Sequence, residues 1–75
     1  SVNIYPNPTS GNVTIELNET ATNVAIYNMV GKLVRSQSIS AGLNTVEMNG
    51  LTAGVYFLRI YNDNKIIGTA KVVRQ

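Results

Sequence analysis

Seven short β-prone runs, separated by turn residues and spaced roughly eight to twelve residues apart, predict an all-β chain folded as an antiparallel sandwich. Two further observations support that class. Within the runs apolar and polar residues alternate with period two, and no stretch carries the 3.6-residue period of an amphipathic helix. At 75 residues, without a cysteine for a disulfide, the chain is near the lower size limit for a self-supporting core, so its 44% hydrophobic content must concentrate on inward faces.

The first run, Val2 to Tyr5, stops at Pro6, because proline cannot donate to a ladder and restricts the residue before it. Pro6-Asn7-Pro8-Thr9-Ser10-Gly11 is then a rigid turn. Val13, Ile15 and Leu17 alternate with Asn12, Thr14, Glu16 and Asn18, placing Thr14 and Glu16 toward water. After a polar link, Val24 and Ile26 alternate with Ala25 and Tyr27. Asn28-Met29-Val30-Gly31 reads as a hairpin connection with Gly31 at positive φ, and Lys32 to Ile39 as the return strand with Val34 inward. Ser40-Ala41-Gly42 breaks the chain before a fifth strand, Leu43 to Met48, in which Val46 and Met48 share a face opposite Thr45 and Glu47. Asn49-Gly50 is a turn, and Leu51 between it and Gly54 reads as a buried apolar plug under a loop.

Val55 to Tyr61 is the most β-prone segment, with Tyr56, Leu58 and Ile60 on one face and Val55, Phe57, Arg59 and Tyr61 on the other; two largely apolar faces predict a central strand. Asn62-Asp63-Asn64 is a tight polar turn, and Lys65 to Arg74 is the last strand, with Gly68 a bulge or close-approach point. The expected architecture is a seven-stranded, immunoglobulin-like β-sandwich without the Cys, Trp, Cys arrangement of antibody domains, forming one domain over residues 1–75.

Composition removes most chemistry. Without histidine or cysteine the chain lacks the commonest general base, nucleophilic thiol and metal ligands, and Glu16, Glu19, Glu47 and Asp63 are too dispersed for a paired-carboxylate site. No catalytic residue, cofactor or metal ligand is assigned, and the chain does not read as an enzyme. A calcium site at Asp63 with Asn62 and Asn64 would rest on one carboxylate, and a plain turn is the better reading. Net charge of +2 from Lys32, Arg35, Arg59, Lys65, Lys71 and Arg74, with no basic run, gives no case for nucleic acid. There is no run of 18 apolar residues and no signal segment, so nothing predicts direct membrane insertion. Lacking an initiating methionine and moving straight into a strand, the chain reads as a piece of a longer protein.

The order Ile4-Tyr5-Pro6-Asn7-Pro8, Gly11 with Val13 and Ile15, Ile26-Tyr27-Asn28 with Gly31-Lys32 and Val34, Gly42 with Asn44, then Leu51 and Gly54-Val55-Tyr56, covers essentially the whole chain. It resembles the type A C-terminal sorting domains of the type IX secretion system of Bacteroidota. The resemblance implies a small β-sandwich that directs its parent, after Sec export to the periplasm, through an outer-membrane translocon to the cell surface or the medium. It also implies a surface sortase-like peptidase that removes the domain by cutting upstream of the opening motif and attaches some cargoes to an anionic lipopolysaccharide. This chain begins only a few residues before Pro6, which places the cleavage point outside it.

Pro6, Asn7, Pro8, Gly11, Gly31, Lys32, Gly54 and Tyr56 match the family's motifs. Each has a plain conformational reading: loop rigidity for the first four, turn geometry for Gly31, a solvated turn for Lys32, entry into an apolar strand for Gly54 and core packing for Tyr56; for Lys32 a translocon contact is the alternative. The resemblance also implies that export information lies in the last strands, making Lys71, Val72, Val73 and Arg74 the recognition candidates. An unpaired terminal edge with Lys71 and Arg74 as rim charges would admit a partner by strand addition; the same residues also describe an edge strand with protective charges. Two other classes compete. A carbohydrate-binding or adhesive module would need exposed aromatics, such as Tyr27 and Tyr61 in a row on an outer face. An inert spacer would need nothing further.

Overall fold

The alternating runs become seven strands in a computed structural model that describes residues 2–75: β1 (Val2–Tyr5), β2 (Val13–Leu17), β3 (Asn23–Tyr27), β4 (Leu33–Ser38), β5 (Gly42–Val46), β6 (Gly54–Asn62) and β7 (Lys65–Arg74). They form two antiparallel sheets, ordered β1-β2-β5 and β4-β3-β6-β7, facing one another as a β-sandwich, with no helix among the described residues. A constant-type immunoglobulin sandwich would place the fourth strand beside the fifth. Here the tight Asn28–Gly31 turn keeps β4 beside β3, so the second sheet has four strands and β6 is central in it, as its two apolar faces predict.

The period-two pattern resolves into one core. Val13, Ile15, Leu17, Val46 and Met48 enter it from the three-stranded side, and Val24, Ile26, Tyr56, Leu58, Ile60 and Val72 from the four-stranded side. Burying an aliphatic or aromatic side chain of this kind contributes about 1.5–3 kcal/mol relative to leaving it exposed, which is how so short a chain offsets its conformational entropy without a covalent staple.

One detail differs from expectation. Leu51 is only half-buried against the core, and the fully buried plug is Met48, whose unbranched side chain reaches inward from just beyond β5. Its carbonyl accepts from the Leu51 N–H at 3.3 Å. Val34 faces inward as expected, packing half-buried against the core at a bulge where Tyr27 pairs with Leu33 and Ile26 with Arg35. Gly68 fulfils the close-approach expectation: a Cβ there would lie 3.1 Å from Val2 Cγ2, where the edges β1 and β7 meet, and the adjacent Ile67 is the extra residue of a bulge against β6.

Candidate functional site

The terminal strand was the expected open edge, and the fold corrects that picture. β7 does lie at the edge of its sheet, but after β1 the chain crosses from one sheet to the other and lies along the outer side of β7. The Asn7 side chain donates to the Lys71 carbonyl at 2.8 Å and accepts from the Val73 N–H at 3.0 Å. The Thr9 N–H donates to the Val73 carbonyl at 2.9 Å, and its carbonyl accepts from the Gln75 N–H at 2.8 Å. A side-chain amide matches a peptide edge because it offers one donor and one acceptor. The outward backbone groups of Lys71, Val73 and Gln75 are therefore engaged, and strand addition there would first have to displace the opening loop. Thr9, which the sequence did not single out, is buried; its hydroxyl donates to the Asn12 carbonyl at 2.8 Å and accepts from the Gly11 N–H at 3.1 Å.

The recognition candidates consequently divide. Val72 is fully buried opposite Tyr56 and serves the core. Arg74 donates to the carbonyls of Met48, at 3.1 Å, and Gln75. Only Lys71 and Val73 project from the outer face, beside Phe57 and Val55. Of the motif residues, Pro6, Asn7, Pro8 and Gly11 belong to the crossing loop. Gly54 starts β6 at φ 155°, which L side chains rarely adopt, and Tyr56 is core, its hydroxyl donating to the Thr52 carbonyl at 2.7 Å.

Gly31 takes φ 84° in the β3–β4 turn. The turn is held by the Asn28 side-chain oxygen, which accepts from the N–H groups of Val30 at 3.1 Å and Lys32 at 3.0 Å, while the Asn28 and Lys32 backbones pair at 2.9 Å. This bracing lifts two apolar side chains into solvent: Met29 is 70% and Val30 87% exposed.

Beside that tip, register assembles a row the sequence does not display. Leu33 pairs with Tyr27, Tyr27 with Phe57, and Phe57 with Lys71, so one line of outward side chains crosses β4, β3, β6 and β7. Leu33 and Phe57 are exposed. The Arg59 guanidinium lies 5.0 Å from the Tyr27 ring centroid, a cation–π distance, with Ala25 opposite Arg59 buried on this same outer face. The Tyr61 hydroxyl, together with partial desolvation, raises the pKa of Tyr27 above its ordinary value; contact with Tyr27 and then Arg59 lowers that of Tyr61. A depression of about 340 Å³ opens between the row and the tip, lined by Tyr27, Asn28, Met29, Gly31, Phe57 and Arg59.

Charge follows the same division. The cations dispersed in sequence gather in one sheet: Arg35, Arg59, Lys65, Lys71 and Arg74 lie on its strands and Lys32 in its hairpin, and none of its strands carries an acid. Arg35 and Arg74 are engaged with backbone carbonyls, leaving Arg59, Lys71 and Lys32 to colour the outer face and the tip. Tyr27 and Tyr61 do share that face, but the Tyr27 ring already carries Arg59. Asp63 sits in the β6–β7 turn at φ 53°, its N–H donating to Thr22 Oγ1 at 2.8 Å.

Comparison with known proteins agrees with this reading of the chain as a whole. The chain is 37% identical over 76 residues to an ulvan lyase of Nonlabens ulvanivorans, a match covering 97% of this chain and 14% of that protein. It is 30% identical over 59 residues to beta-agarase A of Zobellia galactanivorans, covering 76% of this chain and 11% of that protein. The chain thus spans a small fraction of the curated relatives it matches. The profile of the secretion system C-terminal sorting domain matches residues 3–75, from β1 through the end of β7, and the chain belongs to that family, a sorting signal of type IX secretion found in secreted proteins.

Proposed function

We propose that this domain directs its parent protein through the type IX translocon across the outer membrane, and that a surface sortase-like peptidase then removes it by cutting upstream of Pro6. The observation that carries the reading is the coincidence of the family match with the folded unit: residues 3–75 include all of the seven strands but the first residue of β1, and both halves of the Asn7–β7 clasp. The address is a folded object rather than a linear tail, since its first and last segments hydrogen-bond at a sequence separation of 64. The role is not catalytic. The parent's own activity is a separate matter; the two relatives' names suggest a secreted polysaccharide-degrading enzyme as one class of cargo.

The test fuses the domain to a Sec-directed fluorescent reporter in a Bacteroidota strain with and without a working type IX translocon. Surface or medium delivery is expected only in the competent strain, with the domain missing from the delivered reporter when the peptidase is present. Periplasmic retention in both strains would overturn the reading.

The placement of Tyr27 and Tyr61 on one outer face favours a second reading, a glycan-binding module. It is the weaker one, because sugar stacking needs a free ring face and the Arg59 guanidinium occupies that of Tyr27.

A further inference from the structure

We propose that the domain docks on the export machinery through the hairpin end of its four-stranded sheet, and that the surface it fits is a protein recess lined by apolar side chains and rimmed by carboxylates. This rests on the sorting reading above and specifies the surface and the chemistry of the partner.

Three features converge on the site. Met29 and Val30 stand at a turn whose backbone is fixed by Asn28, so the tip is preorganised and loses little freedom on binding. Turns are ordinarily filled by Gly, Pro, Asn, Asp and Ser, and two adjacent aliphatic side chains exposed there serve no purpose in the fold. The tip continues into exposed Leu33 and Phe57 around the 340 Å³ depression, giving a projection and a hollow side by side, the shape that anchors an interface. Around them stand Arg59, Lys71 and Lys32, and the strands of this sheet carry no acid, so complementarity calls for carboxylates on the partner. A second copy of the domain would present cation to cation. A polysaccharide would find aliphatic side chains that neither stack nor hydrogen-bond, and the one ring in the depression flanked by a cation is already covered by it.

The test uses the reporter fusion of the full chain in the translocon-competent strain. Met29→Glu with Val30→Glu is expected to lower the exported fraction about tenfold, the loss typical of removing an interface anchor, and Arg59→Glu with Lys71→Glu to lower it more at low salt than at high. Leu43→Glu, an equally exposed apolar position on the other sheet, is expected to export as wild type. Thermal unfolding of each purified chain separates docking from folding, because neither tip residue touches the core. Wild-type export by the folded tip variant would overturn the proposal, as would capture of the wild-type chain by a glycan array or phosphatidylglycerol vesicles that the tip variant loses while export continues. Failure of the unmodified domain to export in the competent strain would instead overturn the sorting reading, so the two failures are distinguishable.

Discussion

The two sheets share one core but present different outer faces. On the three-stranded sheet the outward rows are Asn3, Glu16 and Leu43, then Tyr5, Thr14 and Thr45: one acid, one isolated aliphatic and otherwise polar or amphipathic groups. On the four-stranded sheet the corresponding row is Leu33, Tyr27, Phe57 and Lys71, backed by Arg59 and ending at the Met29-Val30 tip. The inward faces are equally apolar, so folding does not require this difference. An asymmetry that the core does not need is where a partner's requirements show, and it sets the four-stranded face apart as the one under a second constraint.

The largest effects should separate the seams that join the sheets from the faces they display. Arg35 donates from β4 to the carbonyls of Glu47 and Asn49, both at 2.9 Å, and Gln37 to that of Thr45 at 2.8 Å, closing one side of the sandwich as Asn7 and Thr9 close the other. Arg35→Ala is expected to lower unfolding free energy by about 1–2 kcal/mol and Asn7→Ala by about 1 kcal/mol in denaturant titrations. Leu43→Ser and Val30→Ser, one on each outward side, should change it by no more than about 0.5 kcal/mol. A face variant as costly as a seam variant would mean that the outer residues are structural after all, and the comparison would lose its functional meaning.

The smallest effect is electrostatic and belongs to the four-stranded face alone. With the pKa of Tyr61 lowered and that of Tyr27 raised, alkaline titration should ionise the pair in two steps, the earlier one mainly at Tyr61. A lowered folded pKa adds stability above the unfolded value, whereas a raised one contributes stability that is lost as pH rises, so the two contributions oppose across the ordinary tyrosine range near 10.0. Phenolate absorbance should therefore split while stability changes little, and Arg59→Ala should move the first step upward. A single unsplit step unaffected by that substitution would remove the proposed coupling among Arg59, Tyr27 and Tyr61.

Much of the fold was legible because local chemistry decides it. Val13, Ile15 and Leu17 could face only one way, Gly31 marked its turn, and Tyr56, Leu58 and Ile60 had to share a side. The site was less legible because it depends on register. Nothing local tells which of Val72 and Val73 is buried; pairing with Tyr56 decides it. Leu33, Tyr27, Phe57 and Lys71 lie on four different strands and become neighbours only once the ladders are aligned. The Asn7 clasp, which closes the edge expected to be open, is a contact between chain ends. One part of the site did leave a mark in the sequence: Met29 and Val30 are aliphatic where a hairpin turn wants polar residues.

The central claim, that one outer face is read during export, is tested most directly by photo-crosslinking from matched positions. Met29 at 70% and Leu43 at 69% exposure are equally accessible but lie on the tip of the four-stranded sheet and on the three-stranded sheet, respectively. With a photoreactive residue at one or the other in the exported fusion, position 29 should yield an adduct with a component of the translocon and position 43 should yield none. Adducts from position 43 alone, or equally from both, would contradict the account.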